Sequence, residues 1–415
     1  MKNYSSEFIN VMFERGFLKD CTDFDKLDKK LLEKNIVAYI GYDATAKSLH
    51  VGHLVNIMML RWFQKCGHKP ITLMGGGTTK IGDPSFRSKE RPLLEEKQID
   101  DNINNIKGVF SKYLQYNNEK NGALILNNAD WLNKLNYITF LREIGKHFSV
   151  NRMINFESVK ARLKKDESLS FLEFNYMILQ AYDFMKLNEN YNCILQMGGS
   201  DQWGNIVNGI ELARRINNKN IFGLTSPLLA NSSGQKMGKS SEGTVWLNSD
   251  LTSPFDFWQY WRNVDDKDVY RFFLLFTELS IKECEEIKDL KGSDINEAKN
   301  LLAFEITKLC HGEKEAIISQ NTAKQIYEKK EIGKDLPVKN ILISSLNENY
   351  RISNLFVECG LVKSGKEAKR LISEGGARIN DEVIDNVSFI KSRHSHSKVV
   401  RLSSGKKKHI IVKFI

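Results

Sequence analysis

The fold is decided by one stretch of sequence, Tyr39-Ile-Gly-Tyr-Asp-Ala-Thr-Ala-Lys-Ser-Leu-His-Val-Gly-His53. An apolar run at residues 36–40 leads into it and predicts a buried β-strand. After it, residues 54–66 carry apolar side chains at helical spacing. A strand that passes through a loop into a helix begins a crossover unit, so the stretch predicts a parallel sheet with helices packed on it.

Four further short apolar segments fit the same pattern and are separated by helical stretches. They are residues 71–74, 123–126, 192–196 and 228–230. This alternation predicts an α/β protein with a Rossmann-like parallel-sheet domain over residues 1–230, interrupted by a mostly helical insertion at about 93–162. Ligands of such sheets bind beyond the carboxyl ends of the strands, which is where we expect a site.

The rest of the chain divides into smaller parts. Residues 231–247 predict a mobile loop, and the helical pattern of residues 248–328 predicts an all-α domain. Residues 329–350 begin with a polar run punctuated by Gly and Pro, which indicates a linker. Residues 351–415 are expected to form a small α+β domain.

Composition excludes several classes of protein. With 415 residues, 41% hydrophobic and 27% charged, the chain is neither disordered throughout nor fibrous. No apolar run reaches the roughly 18 residues of a membrane helix, and the first residues lack the apolar stretch of a secretory signal. The six cysteines form no C-x-x-C pair, which argues against a disulfide framework or a structural zinc site. We therefore expect a cytoplasmic protein with no membrane partner.

His50 and His53 end the fold-deciding stretch and are candidates for contacts with a nucleotide. Three residues apart on a helical turn, their rings share a face, and Gly52 between them lets a flat base or ribose approach the backbone. The helix N-terminus beneath them supplies amide donors for phosphate. Paired imidazoles can also bind a metal or pack in a core, although no third ligand or H-E-x-x-H pattern accompanies them.

The glycine-rich sequence after the second predicted strand fits neither common nucleotide fingerprint. Gly82 is followed by Asp83-Pro84 instead of Lys and Ser or Thr, and Lys80 stands where a dinucleotide fingerprint needs its third glycine. A different candidate for phosphate binding is the Gly/Ser-rich loop that carries Lys236 and Lys239. Two mobile point charges could close over a triphosphate, and the alternative is an ordinary solvated loop.

A polar stripe on an apolar helix marks a second candidate region. Tyr176, Gln180 and Asp183 fall on one helical face, and their neighbours are apolar around the rest of the helix. Buried polar groups must be paired or line a cavity, because an unpaired one costs roughly 1–3 kcal/mol. The stripe therefore predicts either a ligand pocket or an internal hydrogen-bond network.

Two of these motifs resemble a known family. His50-Val-Gly-His53 and Lys236-Met-Gly-Lys-Ser240 resemble the two signature motifs of class I aminoacyl-tRNA synthetases, with Val51 for the usual isoleucine and Gly238 for the usual serine. With Tyr39, the Gly82-Asp-Pro84 turn, the polar stripe and the segment from Gln196 to Asn205, the chain resembles the bacterial-type tyrosyl-tRNA synthetases over nearly its whole length. The resemblance implies activation of L-tyrosine with ATP to tyrosyl-adenylate and pyrophosphate, followed by transfer to the 3' end of tRNA(Tyr).

The resemblance also implies a role for each matching residue. The tyrosine pocket would consist of Tyr39 and Asp183 at the hydroxyl, Asp83, Tyr176 and Gln180 at the ammonium group, and Gln202 in the lining. ATP would be bound by Gly41, Asp43, His50, Gly52, His53, Gly199, Asp201 and Lys239. The catalytic groups that stabilise the departing pyrophosphate would be Thr45, His50, His53, Arg87, Arg91, Lys236 and Lys239. No metal ligand is predicted in the protein, and Mg²⁺ is expected to arrive with ATP.

The last 65 residues carry most of the net charge. Residues 351–415 contain 14 Lys or Arg and 6 Asp or Glu, a net charge of +8 out of +10 for the chain. Ser364 and Glu367 have capping-box spacing and predict a helix that ends at Gly375-Gly376 and is followed by a strand. The segment resembles an S4-type RNA-binding domain, with its RNA-binding residues at Lys363, Lys366, Lys369 and Arg370, and the alternative is a solubilising tail.

Two other functions remain open on the sequence alone. A tryptophanyl-type relative would share both signature motifs, although Tyr39, Asp183 and the S4-like tail weigh against it. An RNA-binding regulator that had lost catalysis would share the scaffold, although the intact His and Lys pairs argue against loss of activity. The family also implies a homodimer formed through the helical insertion.

Overall fold

The computed structural model describes residues 4–85, 91–232, 234, 237–240, 243–327, 336–342, 350–380, 382–384, 399–405 and 408–415. They form two compact units, Met1–Ser253 with Asn263–His311, and Pro254–Arg262 with Gly312–Ile415. None of the described helices is long and apolar enough to cross a membrane. The domain boundaries expected from the sequence remain a prediction.

The segment of residues 7–226 contains the helices and strands of the first sheet region. Its elements are α1 (Glu7–Glu14), β1 (Asp20–Cys21), α2 (Phe24–Lys30), β2 (Val37–Tyr42), α3 (Leu54–Lys65), β3 (Lys69–Met74), α4 (Glu96–Phe110), β4 (Leu124–Asn127), α5 (Ala129–Leu132), α6 (Tyr137–Glu143), α7 (Val150–Met153), α8 (Glu157–Lys164), α9 (Phe171–Tyr191), β5 (Cys193–Gly199), α10 (Trp203–Asn217) and β6 (Phe222–Ser226). Short 3-10 turns cover Val51–His53, Thr78–Lys80, Gly145–His147 and Ser200–Gln202.

The remaining elements are mostly helical until the C-terminal sheet. They are β7 (Lys239–Ser240), β8 (Gly243–Thr244), α11 (Pro254–Arg262), α12 (Asp266–Phe276), α13 (Ile281–Glu285), α14 (Ser293–His311), α15 (Glu313–Tyr327), β9 (Val338–Ile341), α16 (Ile352–Glu358), α17 (Gly365–Ser373), β10 (Ala377–Ile379), β11 (Glu382–Val383), β12 (Val399–Ser404) and β13 (Lys408–Phe414).

The first sheet has the strand order β1-β6-β5-β2-β3-β4 and is parallel except for β1, which pairs antiparallel with β6. The first long strand, β2, lies between β3 and β5, so the chain builds outward from β2 on one side and later on the other. The gap between β2 and β5 is therefore a topological switch point, where open α/β sheets bind ligands beyond the strand ends. The predicted Rossmann-like sheet is confirmed.

One of the predicted strands is wrong. Residues 228–230 lie in no named strand and Leu228 is 41% exposed, whereas the strand is β6, Phe-Gly-Leu-Thr-Ser, which is buried throughout. Its small and polar residues hide it from an apolar pattern. Gly223 is required there, because a Cβ would lie 2.4 Å from Ile206 Cγ2 on α10, the helix packed against the sheet.

Helix α9 brings the polar stripe to the sheet and has well-defined ends. Ser170 and Glu173 form a reciprocal capping box at its start, and Asn192 ends it in the left-handed conformation. Glu173 is also paired with Arg162 at 2.8 Å, and both side chains are buried. The start of the helix is therefore fixed, which fixes the direction of the side chains that follow.

The second unit contains the C-terminal α+β fold. Its sheet has the order β11-β10-β12-β13-β9, and α16 and α17 pack on it around Leu355, Phe356 and Leu402. Ser364 caps α17 by accepting a hydrogen bond from Glu367 N at 3.2 Å, as the spacing predicts. Strand β9 lies within the predicted linker 329–350 and pairs parallel with β13, so that segment contributes to the sheet.

Candidate active site

A cavity of about 390 Å³ opens beyond the carboxyl ends of β2, β3 and β5. It collects most of the residues that the sequence singled out. Those in its lining are Tyr39, Gly41, Asp43, Thr45, His50, His53, Asp83, Arg91, Tyr176, Gln180, Asp183, Gly199, Asp201 and Gln202. Segments up to 163 residues apart in the sequence thus converge on the predicted edge of the sheet.

The rings of the two histidines are in contact at the start of α3, tilted by 48° to each other. Their ring centroids are 4.1 Å apart, and His50 Nδ1 accepts a hydrogen bond from Gly52 N at 3.0 Å. A neutral His50 therefore carries its proton on Nε2, which makes Nε2 a donor. Burial and then the neighbouring His50 lower the pKa of His53 to about 3, so His53 stays neutral at physiological pH.

The backbone of the lysine-bearing loop lies directly on this histidine pair. Gly238 has φ +115°, and a Cβ there would lie 2.7 Å from His50 Nδ1, which no real side chain tolerates. Gly52 is restricted from the other side, since its Cβ would lie 2.7 Å from His50 Cε1 and 3.1 Å from Met237 O. The departure from the usual motif at Gly238 thus permits this close approach.

Asp183 lies at the bottom of the cavity and is 2% exposed. Its Oδ2 accepts a hydrogen bond from Asn128 Nδ2 at 2.8 Å, and its Oδ1 accepts one from Trp131 Nε1 at 2.7 Å. Burial raises the pKa of Asp183 to about 7, and the two hydrogen bonds oppose the rise. Because each carboxylate oxygen has a second lone pair, the group can still accept a hydrogen bond from a ligand.

Tyr39 reaches the same end of the cavity from β2. Its ring packs against Phe184 with centroids 5.3 Å apart, and the residue is 1% exposed. Its hydroxyl is buried and has no hydrogen-bond partner among the described residues. Burial and then the charge of Asp183 raise the pKa of Tyr39, so the phenol stays protonated. A buried hydroxyl with no partner among the described residues, next to a carboxylate, can bind a polar group of a ligand.

A second carboxylate, the half-buried Asp43, follows the end of β2. Thr78 Oγ1 donates to it at 2.8 Å and Tyr176 OH donates at 3.0 Å. Burial, and next the charge of Asp83, raise the pKa of Asp43 to about 6. Tyr176 is thereby held in a fixed orientation on the cavity wall.

Asp83 belongs to a chain of hydrogen-bonded polar side chains in the cavity lining. Gln202 Nε2 donates to Asp83 Oδ2 at 2.8 Å, and Asn205 Nδ2 lies 3.2 Å from Gln202 Oε1 and 3.1 Å from Gln180 Oε1. The predicted polar stripe on α9 is therefore both hydrogen-bonded and exposed to the cavity. The two interpretations left open by the sequence are combined in one network.

Of the predicted cationic residues of the cavity, Arg91 is described with its side-chain contacts. Arg91 Nη1 donates to Thr45 Oγ1 at 3.3 Å, which brings these two predicted residues together. Arg87 and Lys236 lie outside the described residues. The backbone of Lys239 pairs with Thr244 in the small β7–β8 hairpin.

Three residues of this site are not among those predicted from the sequence. Asn128 and Trp131, which hold Asp183, follow β4 at the start of α5, more than 50 residues before their partner. Trp246 also lines the cavity and forms an isolated β-bridge with His50. The Asn127-Asn128 pair at the end of a predicted strand was a signal for the first, since strand ends are where ligand-facing polar groups collect.

The predicted RNA-binding residues lie on α17 and the turn before it. Lys363, Lys366, Lys369 and Arg370 are all exposed, whereas Ala368 and Ile372 are buried against the sheet. The helix thus presents one cationic face to solvent. A face of this kind can contact a phosphate backbone.

Comparisons with known proteins agree with this geometry. Residues 30–328 match the family model described as tRNA synthetases class I (W and Y). The chain is 59% identical over 408 residues to the tyrosine–tRNA ligase of Ruegeria pomeroyi and 57% identical over 408 residues to that of Dinoroseobacter shibae, with 98% of each chain covered in both cases. Among solved structures it is similar to a C-terminally truncated mitochondrial tyrosyl-tRNA synthetase of Aspergillus nidulans, with a TM-score of 0.70, 30% identity, and coverage of 77% of this chain and 94% of that one.

Proposed function

The chain belongs to the class I tRNA synthetases for tryptophan and tyrosine, and from this premise we propose which of its residues carry out the reaction. Its function is that of a tyrosine–tRNA ligase, with L-tyrosine, ATP and tRNA as substrates. It activates tyrosine with ATP to tyrosyl-adenylate and pyrophosphate, then transfers tyrosine to the 3' end of tRNA(Tyr).

The tyrosine side chain is proposed to enter the cavity with its hydroxyl between Asp183 and Tyr39. The single observation that carries this assignment is the buried pair itself, a carboxylate with spare acceptor capacity beside a phenol with no partner among the described residues. A tyrosine hydroxyl donates to Asp183 and accepts from Tyr39, which satisfies both groups. The indole of tryptophan can donate to Asp183 but has no lone pair for Tyr39.

The ammonium group of the substrate is proposed to bind the polar network at the cavity wall. Asp83, Tyr176 and Gln180 supply acceptors there, and Gln202 holds Asp83 at 2.8 Å. The negative charge of Asp83 and Asp43 favours a cation at this point. The carboxylate of tyrosine would then lie on the side of the histidine pair, where the nucleotide is expected.

ATP is proposed to lie between β2, the histidine pair and β5. Its ribose would contact Asp201 beside Gly199, and its base and sugar would approach the backbone at Gly41, Asp43 and Gly52. Attack of the tyrosine carboxylate on the α-phosphate expels pyrophosphate, so the enzyme needs to orient the reactants and stabilise charge. His50 Nε2 is a donor for that charge, and His53 buttresses His50 by ring contact.

Cationic and hydroxyl groups complete this stabilisation in the proposal. Thr45 and Arg91, joined at 3.3 Å, lie on the pocket wall, and Arg87, Lys236 and Lys239 are assigned to the same charge on the basis of their position in the sequence. Mg²⁺ is proposed to enter with ATP, bound by phosphate oxygens, because such ions usually keep several waters and substrate oxygens as ligands. The described residues contain no group of three or more His, Cys, Asp or Glu that could hold a metal.

Two further properties belong to the proposal. The exposed face of α17, with Lys363, Lys366, Lys369 and Arg370, is proposed to bind tRNA(Tyr). The chain is proposed to act in the cytoplasm, which suits the free thiols of all six cysteines.

A homodimer is proposed through the helical insertion. Large apolar side chains are exposed there, and they would lose contact with water in a dimer. They include Tyr137, Ile138, Leu141, Val150 and Ile154. Light scattering after gel filtration should give twice the mass of 47.7 kDa, and a monomer at micromolar concentration would contradict the proposal.

The proposed tyrosine site is tested by ATP–pyrophosphate exchange with tyrosine and tryptophan compared at equal concentrations. Exchange should depend on tyrosine, with tryptophan giving little. A preference for tryptophan would overturn the assignment of the Asp183 and Tyr39 pair.

A further inference from the structure

Helix α12 holds the first described turn of the lysine-bearing loop. Ser232 N donates to Asp268 Oδ2 at 2.7 Å. Arg271 Nη2 donates to Asp268 Oδ1 at 3.0 Å and to the carbonyl oxygen of Ala230. One carboxylate and its cationic neighbour thus grip the loop at two backbone groups, four and six residues before Lys236.

Asp268 is placed for this contact and for little else. It is 3% exposed, and its two oxygens are divided between the loop and Arg271. It lies in the first turn of α12, where the helix dipole favours a negative charge. Removing the carboxylate would leave the Ser232 amide and the Arg271 guanidinium without this acceptor.

The far end of α12 is fixed to the helix that follows the histidine pair. Glu278, just beyond α12, accepts hydrogen bonds from Arg61 Nε at 2.8 Å and from Lys65 Nζ at 2.7 Å, both on α3. Arg15 donates to the carbonyl oxygens of Leu274 and Thr277, at 2.9 and 3.1 Å. Helix α3 begins directly after His53. Helix α12, about 16 Å long, therefore connects the helix that follows the histidine pair to the loop.

The other end of the loop is fixed to the histidine motif directly. Val51 N donates to Val245 O at 3.0 Å, and Leu247 N donates to Leu49 O at 2.9 Å. Both ends of the loop are therefore held relative to α3, one through α12 and the other through the residues just before α3. The segment between them carries the two lysines that the proposed function assigns to the phosphates.

We propose that Asp268, together with Arg271, is a positioning residue for the first reaction step. It sets where the loop leaves the body of the enzyme, so that Lys236 and Lys239 reach the triphosphate from a fixed base. This role rests on the proposed function of those lysines. Asp268 contacts no substrate and acts through the loop.

The test compares Asp268→Ala and Asp268→Asn with the unaltered chain. Asp268→Ala should lower the rate constant for tyrosyl-adenylate formation at saturating ATP about tenfold, with tyrosine affinity unchanged. Asp268→Asn keeps an oxygen for the Ser232 amide and should retain more of the rate than the alanine variant. Trypsin should cleave after Lys236 and Lys239 faster in Asp268→Ala, as followed by mass spectrometry.

A matched control is Asp266→Ala, two residues before Asp268 in the first turn of α12. It also removes a carboxylate and breaks an ion pair, that of Asp266 with Lys299, but among the described residues the Asp266 side chain makes no hydrogen bond to the loop. It should leave both the adenylate rate and the trypsin pattern unchanged. Equal effects of the two alanine variants would mean that damage to α12, and not loss of the anchor, is responsible.

Further outcomes separate this inference from the proposed function. Unchanged adenylate formation and unchanged cleavage in Asp268→Ala would overturn the anchor. A fall in tyrosine affinity equal to the fall in rate would overturn it as well, because a disturbed pocket would then explain the loss. If the unaltered chain formed no adenylate, the proposed function would fail, and faster cleavage in Asp268→Ala would still support the anchor while unchanged cleavage would reject it.

Discussion

Replacing Tyr39 by phenylalanine removes one oxygen atom from the bottom of the cavity and changes little else. The ring of Tyr39 is buried against Phe184, and phenylalanine retains that contact. The hydroxyl has no hydrogen-bond partner among the described residues, so its removal leaves none of them unpaired. The variant therefore separates the contribution of this hydroxyl to binding from its contribution to stability.

The expected magnitudes follow from that environment. A buried hydroxyl without a partner costs the folded state roughly 1–3 kcal/mol, so Tyr39→Phe should leave the free energy of unfolding unchanged or increase it by about 1 kcal/mol. In the complex the variant loses one neutral hydrogen bond to the substrate, which is worth about 0.5–1.5 kcal/mol. Tyrosine should therefore bind about 2- to 13-fold more weakly.

Two assays measure these quantities on the same preparation. Urea unfolding followed by fluorescence gives the free energy of unfolding, and fluorescence titration gives the dissociation constant of tyrosine. ATP–pyrophosphate exchange adds the ratio of kcat/KM for tyrosine and phenylalanine, which should fall in the variant. Unchanged tyrosine affinity combined with a loss of stability above about 1 kcal/mol would refute the reasoning, because the hydroxyl would then serve the fold.

Three other predictions concern the acid, its pH dependence and the tail. Asp183→Ala should abolish tyrosine-dependent ATP–pyrophosphate exchange while thermal unfolding stays cooperative, and retained tyrosine specificity would contradict the pocket. The pKa of Asp183 is raised to about 7, and a tyrosine hydroxyl that donates to Asp183 favours the ionised form, so tyrosine should bind more weakly as pH falls below about 7. Trp131→Phe removes a donor to the carboxylate and should move the midpoint of this pH dependence to higher pH. Tyrosine titrations at several pH values would test both expectations. The double variant Lys366→Ala with Arg370→Ala should spare adenylate formation but weaken transfer to tRNA. The slope of log binding constant against log salt concentration for tRNA should become shallower by about 0.7–0.9 per lost phosphate contact. Equal loss in both steps would mean that these residues have a structural role.

The raised pKa of Asp183 also affects the stability of the empty protein. A folded-state pKa above the ordinary 3.8 means that the folded chain holds this proton more tightly than the unfolded chain. The associated stability is fully present below pH 3.8 and is lost as pH rises through about 7. In the proposed complex, bound tyrosine would offset part of this loss by donating a hydrogen bond to the ionised carboxylate.

The sequence predicts the parts of this molecule in which pattern and structure coincide locally. The strand before the histidine pair, the helix after it and the Ser364 N-cap of α17 all follow from spacing within about 15 residues. The stripe of Tyr176, Gln180 and Asp183 could be placed on one face because helical geometry is regular. Each of these features needs no knowledge of distant segments.

Other features depend on contacts that no local pattern contains. Strand β6 is rich in small and polar residues, including the Gly223 on which α10 packs closely, so its apolar signal is weak. Asn128 and Trp131 meet Asp183 only once β4 has been added to the edge of the sheet. The close contact of Gly238 with His50 likewise forms only when the lysine-bearing loop packs against the histidine pair.

A structure of the protein with bound tyrosine is the most direct test of the account. The substrate hydroxyl oxygen should lie within about 3 Å of both a carboxylate oxygen of Asp183 and the hydroxyl oxygen of Tyr39. Its ammonium group should face Asp83 and Gln180, and its carboxylate should point toward His50. A tyrosine bound in the opposite orientation, or outside this cavity, would contradict the account.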